Sequence, residues 1–109
     1  MALGEMKCVP CQVGAKPLAP AEAEALLAEV PGWSLVEEAT AIQRKFAWPD
    51  FAQALAFADR VGGLAEQEGH HPVLTVGWGF CTVRFRTGKI KGLHQNDFVM
   101  AARVNALVG

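Results

Sequence analysis

Apolar and polar residues along this chain fall into segments of changing period. Residues 1–18 carry no clear period and contain Pro10, Gly14 and Pro17, which predicts an extended N-terminal arm ahead of a single domain at 19–109. From Pro20 the run Ala21 to Glu29 is dense in strong helix formers, Pro20 suits a first helical position, and Pro31-Gly32 ends the helix. Trp33 follows, expected as a hydrophobic lid on the end of the core. Ser34–Glu37 and Ala41–Phe46 both allow period two and predict a hairpin. After Pro49 and Asp50 the spacing turns helical, with Phe51, Leu55, Ala58, Val61 and Ala65 expected on the buried face. Gly62-Gly63 inside this helix lowers its propensity and marks a place where another backbone could approach. A second hairpin follows. Leu74, Val76 and Trp78 share a face, Gly79 turns the chain, and Cys81, Val83 and Phe85 alternate with Thr82, Arg84 and Arg86. Residues 95–107 predict a last helix whose apolar side is Phe98, Ala101, Ala102, Val104, Ala106 and Leu107. The order is α-β-β-α-β-β-α, an α+β domain with one sheet and its helices against one face.

At 109 residues and 51% hydrophobic, the chain fits one modest core. A formal net charge of -1 gives no electrostatic case for nucleic acid or anionic membrane as a partner. No apolar run is long enough to span a bilayer and no signal peptide is recognisable, so the expected location is cytoplasmic. Cys8-Val9-Pro10-Cys11 could be half a zinc site or a redox pair. A structural zinc needs four ligands and no second pair with finger-like spacing exists, so the favoured reading is a plain segment with no metal. Cys81 lies in a strand pattern and is expected to be a small buried hydrophobe.

The chemistry concentrates at Glu66-Gln67-Glu68-Gly69-His70-His71-Pro72, on the seam between a helix and a strand. Imidazole exchanges protons near neutrality, and adjacent histidines entering an extended segment point to different sides, so one can face a pocket while its neighbour flanks it. Glu66 stands one helical turn before His70 and could hold an imidazole in one tautomer. Metal binding competes weakly, because adjacent histidines chelate one ion poorly. A polar pair ending a helix and favoured by its dipole is equally consistent with the spacing. Asp97 also suits the dipole of the last helix, Trp78 suits a hairpin, and His94 suits the start of a helix near the surface. From residues alone the reading is a candidate acid/base site on a small α+β protein.

The series Glu66-x3-His70-His71-Pro72-x5-Trp78, followed by Lys89-Ile90-Lys91-Gly92-Leu93-His94-Gln95-Asn96-Asp97-Phe98, resembles the pterin-4a-carbinolamine dehydratases. The likeness runs from about Cys8 to the C-terminus, and the Cys-x-x-Cys and Pro-Gly-Trp at 31–33 are similar to those of bacterial members. It implies a four-stranded antiparallel sheet with helices on one side, assembled as a homodimer or homotetramer. It implies loss of water from a 4a-hydroxy-tetrahydropterin to give a quinonoid dihydropterin, with no metal or organic cofactor. Carried over, His70 and His71 are catalytic, and Glu66, Trp78 and Asp97 bind substrate. The family's third active-site histidine sits in a Thr-His-Lys context, where this chain reads Thr87-Gly88-Lys89. Gly88 therefore stands in place of a proton-transfer group. That leaves an alternative, a catalytically silent relative that binds proteins. The family has precedents in a partner of a homeodomain transcription factor and in a Rubisco assembly factor associated with α-carboxysomes.

Overall fold

The computed structural model describes residues 3–5, 8 and 16–108. Its elements run α1 (Pro20–Leu27), β1 (Ser34–Val36), β2 (Ala41–Ala47), α2 (Phe51–Glu68), β3 (Val73–Gly77), β4 (Phe80–Phe85) and α3 (Gln95–Leu107), with short 3-10 turns at Leu3–Glu5 and Gly88–Ile90. This is the α-β-β-α-β-β-α order that the periodicity predicts. The four strands form one antiparallel sheet in the order β1-β2-β4-β3, so the second hairpin inserts its later strand beside β2.

Period-two alternation decides which sheet face the helices cover. Ile42 and Phe46 of β2 and Cys81, Val83 and Phe85 of β4 are buried, and they join Phe57, Val61, Phe98, Met100 and Val104 from α2 and α3 in one core. The alternate residues point away from it. On that side Arg84 bonds Gln43 across the strand pair at 3.2 Å and Glu37 at 3.0 Å, a solvated polar arrangement.

Trp33 closes one end of the core, as its position after Pro31-Gly32 suggests. It is 5% exposed, and its indole N–H donates to Asn105 Oδ1 at 2.8 Å. Arg44 donates to the same oxygen at 2.7 Å, while Asn105 Nδ2 and Arg44 both reach the Pro31 carbonyl. These bonds lock the α1–β1 turn to β2 and α3. Gly32 is required there, since its φ is +89° and a Cβ would lie 2.7 Å from the Arg44 side chain.

Helix α2 departs from expectation. Its buried stripe is Ala54, Phe57, Ala58, Val61 and Ala65, and Phe51 and Leu55 are 44% and 51% exposed. The helix carries two apolar stripes, and the one with Phe57 at its centre faces the sheet because that ring packs on Phe46 and Trp48. Trp78 likewise leaves the Leu74–Val76 face: it sits in the β3–β4 turn beside Gly79 (φ +84°) and is 74% exposed. In α3, Val99 and Met100 are buried and Ala106 is exposed, so the inward stripe is rotated from the expected one.

No described group comes within 4 Å of a Cβ built at Gly62 or Gly63, so nothing among the described residues uses the approach that those glycines allow. Gly63→Ala should then raise stability by about 0.5–1 kcal/mol in a denaturant titration, the ordinary gain in helix propensity. A loss of stability would show that a second molecule's backbone packs there.

Candidate functional site

The site begins where α2 ends. Asp50 caps the start of that helix, accepting the Gln53 N–H at 2.8 Å. At the other end Gly69 takes the left-handed region at φ +68°, a conformation glycine adopts without strain. The N–H groups of Gly69 and His70 both reach the Ala65 carbonyl, at 2.8 and 3.2 Å. The reversal delivers His70 and His71 together to the mouth of a cleft ahead of β3.

The opposite wall comes from the segment between β4 and α3. Alternation along β4 continues past Phe85, so Thr87 turns inward and is 4% exposed. Thr87 and Gly92 pair across the 3-10 turn, with N–H to carbonyl distances of 2.9 and 3.4 Å. Gly92 is fixed in turn by Pro17, which a Cβ would meet at 2.7 Å. The resulting cleft of about 420 Å³ is bounded by His70 and His71 on one side and by Arg86 to Lys89 on the other, with Cys8, Glu68 and Asn96 completing it. This volume lies at the lower end of the range for small-molecule sites.

Asp97 lies behind the cleft and is 0% exposed. As the third residue of α3 it forms a capping box, accepting the His94 N–H at 2.9 Å through Oδ2. Thr87 Oγ1 donates to that same oxygen at 2.8 Å. His70 Nε2 donates to Oδ1 at 2.6 Å, and the imidazole stacks on Phe85 with ring centroids 5.9 Å apart. A buried carboxylate is costly unless such bonds satisfy it, and here three donors and a helix N-terminus do so. With Nε2 committed, Nδ1 is the His70 nitrogen left for proton exchange.

His71 pairs with Glu66 on the exposed side. Glu66 thus engages the second histidine rather than His70, because the Gly69 reversal carries His70 inward to Asp97. Trp78 is not brought to the cleft by this chain. It lies beyond the far end of the five-residue β3, on the order of 16 Å along the strand. His94 is not among the lining residues either; its Nδ1 accepts the Asn96 N–H at 3.0 Å and serves the helix start. At Gly88 a Cβ would meet nothing within 4 Å among the described residues, so that stretch of the described wall is open.

Two features of the cleft have no signal in the sequence pattern. The Cys8 N–H donates to Glu68 Oε1 at 3.2 Å, and Glu68 is also paired with Arg103 at 3.1 Å. Together with Leu3, buried in the core, this tethers the described part of the N-terminal segment beside the site. Burial pushes the Cys8 thiol up to about 11, the Glu68 and Asp97 carboxylates adding to the effect while Arg103 opposes it. It is therefore a neutral thiol near neutral pH rather than a nucleophile. Cys11 lies outside the described residues, so the Cys-x-x-Cys reading stays an expectation. Among the described residues no three of His, Cys, Asp and Glu come together as a metal site, and no helix is long and apolar enough to cross a membrane.

Comparison with known proteins follows the same lines. The family model described as "Pterin 4 alpha carbinolamine dehydratase" matches residues 16–107. A Cupriavidus pinatubonensis protein, provisionally named pterin-4-alpha-carbinolamine dehydratase 1, is 55% identical over 105 residues, covering 96% of this chain and 90% of its own. A Methylococcus capsulatus protein with a similar provisional name is 54% identical, covering 93% and 89%. Among solved structures, a transcriptional coactivator/pterin dehydratase from Brucella melitensis superposes with a TM-score of 0.80 at 30% identity, over 86% of this chain and 100% of that one. A pterin dehydratase-like RuBisCO assembly factor of the alpha-carboxysome superposes with a TM-score of 0.61 at 26% identity, over 72% of this chain and 90% of that one. Sequence and fold agree, and the chain belongs to the pterin-4a-carbinolamine dehydratase family.

Proposed function

We propose that the cleft binds a 4a-hydroxy-tetrahydropterin and promotes loss of its hydroxyl as water. The observation that carries this reading is the histidine pair at the cleft, with His70 held through Nε2 by a buried, fully bonded carboxylate. The reaction breaks one C–O bond, places a proton on the departing hydroxyl and removes one from a ring nitrogen. It is redox-neutral and needs only groups that exchange protons near neutrality. His70, oriented by Asp97, and His71, flanked by Glu66, supply two imidazoles placed for those transfers. Asp97 acts through His70 and Thr87 steadies Asp97, so both are positioning residues. Trp78 would join the site only if a second copy of the chain carried it there.

Gly88 leaves this wall of the cleft without a proton-transfer side chain. Losing one positioned acid/base group typically costs about 10²–10⁴ in rate, so turnover should be slow. The same observation favours a second reading, a family member that keeps the pocket but works by binding another protein; one structural neighbour is a pterin dehydratase-like RuBisCO assembly factor. The exposed Phe51 and Leu55 on α2 suit either self-association as a homodimer or homotetramer, or such a partner.

A dehydratase assay on freshly generated 4a-hydroxy-tetrahydropterin separates the readings. The wild type should exceed the uncatalysed rate, His71→Ala should lose at least tenfold, and Gly88→His should gain at least tenfold. A wild-type rate equal to the uncatalysed one would sink the enzymatic reading and leave the protein-binding one.

A further inference from the structure

Resting on the pterin reading of the cleft, its charge distribution narrows the class of substrate. The carboxylates around it are already engaged. Asp97 takes three donors, Glu68 takes Arg103 and the Cys8 N–H, and Glu66 takes His71. The cations are not balanced in the same way. Arg86 and Lys89 both line the cleft, both are exposed, and neither is matched by an acidic partner among the described residues. They bracket Gly88, where a Cβ would meet nothing within 4 Å among the described residues. One wall of the cleft therefore combines open space with two uncompensated positive charges.

A pterin ring is neutral near pH 7 and has no use for either charge. A substituent that ends in an anion would have a use for both. We propose that this cleft takes a reduced pterin whose 6-substituent carries a negative charge, a phosphate or a carboxylate, seated on the Gly88 side between Arg86 and Lys89. The ring then lies toward His70 and His71. An arginine can meet the oxygens of such a group bidentately, and the lysine adds a point charge. Both cations stand at the surface, so the attraction is screened by salt.

The test compares binding of 6-hydroxymethyl-7,8-dihydropterin with that of its phosphate monoester, and of 6-methylpterin with 6-carboxypterin, by calorimetry at low ionic strength. The anionic member of each pair should bind at least tenfold more tightly. That ratio should fall to about one in 0.5 M salt and in the double variant Arg86→Gln/Lys89→Gln. Both substitutions are on exposed side chains, so the fold is not at risk. Equal affinity within both pairs would overturn the anionic substituent while leaving the pterin site standing. A preference that survives in the double variant would overturn the assignment to Arg86 and Lys89. If no pterin binds, the reading of the cleft fails first and this inference fails with it.

Discussion

The Asp97 carboxylate is the interaction on which the site depends. It is fully buried, and burying an ionised group this completely is tolerated only because every side of it is answered. The His94 N–H ties it to the start of α3, Thr87 to the segment after β4, and His70 to the end of α2. One side chain thus joins the start of its own helix to the segment just before it and to the α2 end, 27 residues away. Without it the α2 end would lose its hydrogen bond to the β4–α3 segment, leaving the Glu68–Arg103 pair and the His70–Phe85 stack to hold the cleft walls together.

The elements themselves were legible from residue pattern. Pro20, Pro31-Gly32 and Asp50 mark helix ends by local chemistry, and the period-two runs at 41–46 and 80–85 mark strands, so order and sheet class follow from short-range rules. The faces were less legible. In α2 the two apolar stripes share Ala58, Val61 and Ala65 and part only in the first turns, where the docking of Phe57 on Phe46 and Trp48 decides which one is buried. Trp78 reads as a strand residue by alternation, yet the turn at Gly79 claims it. Both errors come from tertiary contacts that periodicity does not contain.

The histidine pair was visible, and Glu66 does hold an imidazole, but spacing alone does not say which of the two. Glu66 precedes His70 by one helical turn, an argument that holds only while the helix continues. The helix stops at Gly69, so His70 turns in to Asp97 and His71 meets Glu66. Thr87 could have been found by extending the inward set Cys81, Val83, Phe85 by one more step. The place of Cys8 at the cleft depends on its tether to Glu68, which no local pattern encodes. Gly88 had the clearest signal, through the Thr-Gly-Lys context, and the structure adds that the space beside it is open. Where the family resemblance implies a missing proton-transfer group, the structure shows added room at the same residue.

The central claim is that Asp97 fixes His70 through an Nε2–H bond and so leaves Nδ1 for chemistry. The direct measurement is proton–nitrogen NMR of the imidazoles in the wild type and in Asp97→Asn. The account predicts a downfield, slowly exchanging His70 Nε2–H resonance in the wild type that weakens or vanishes in the variant, while the His71 signals stay unchanged. A wild-type His70 whose Nε2–H exchanges as freely as that of an exposed histidine, or one indifferent to Asp97→Asn, would contradict it.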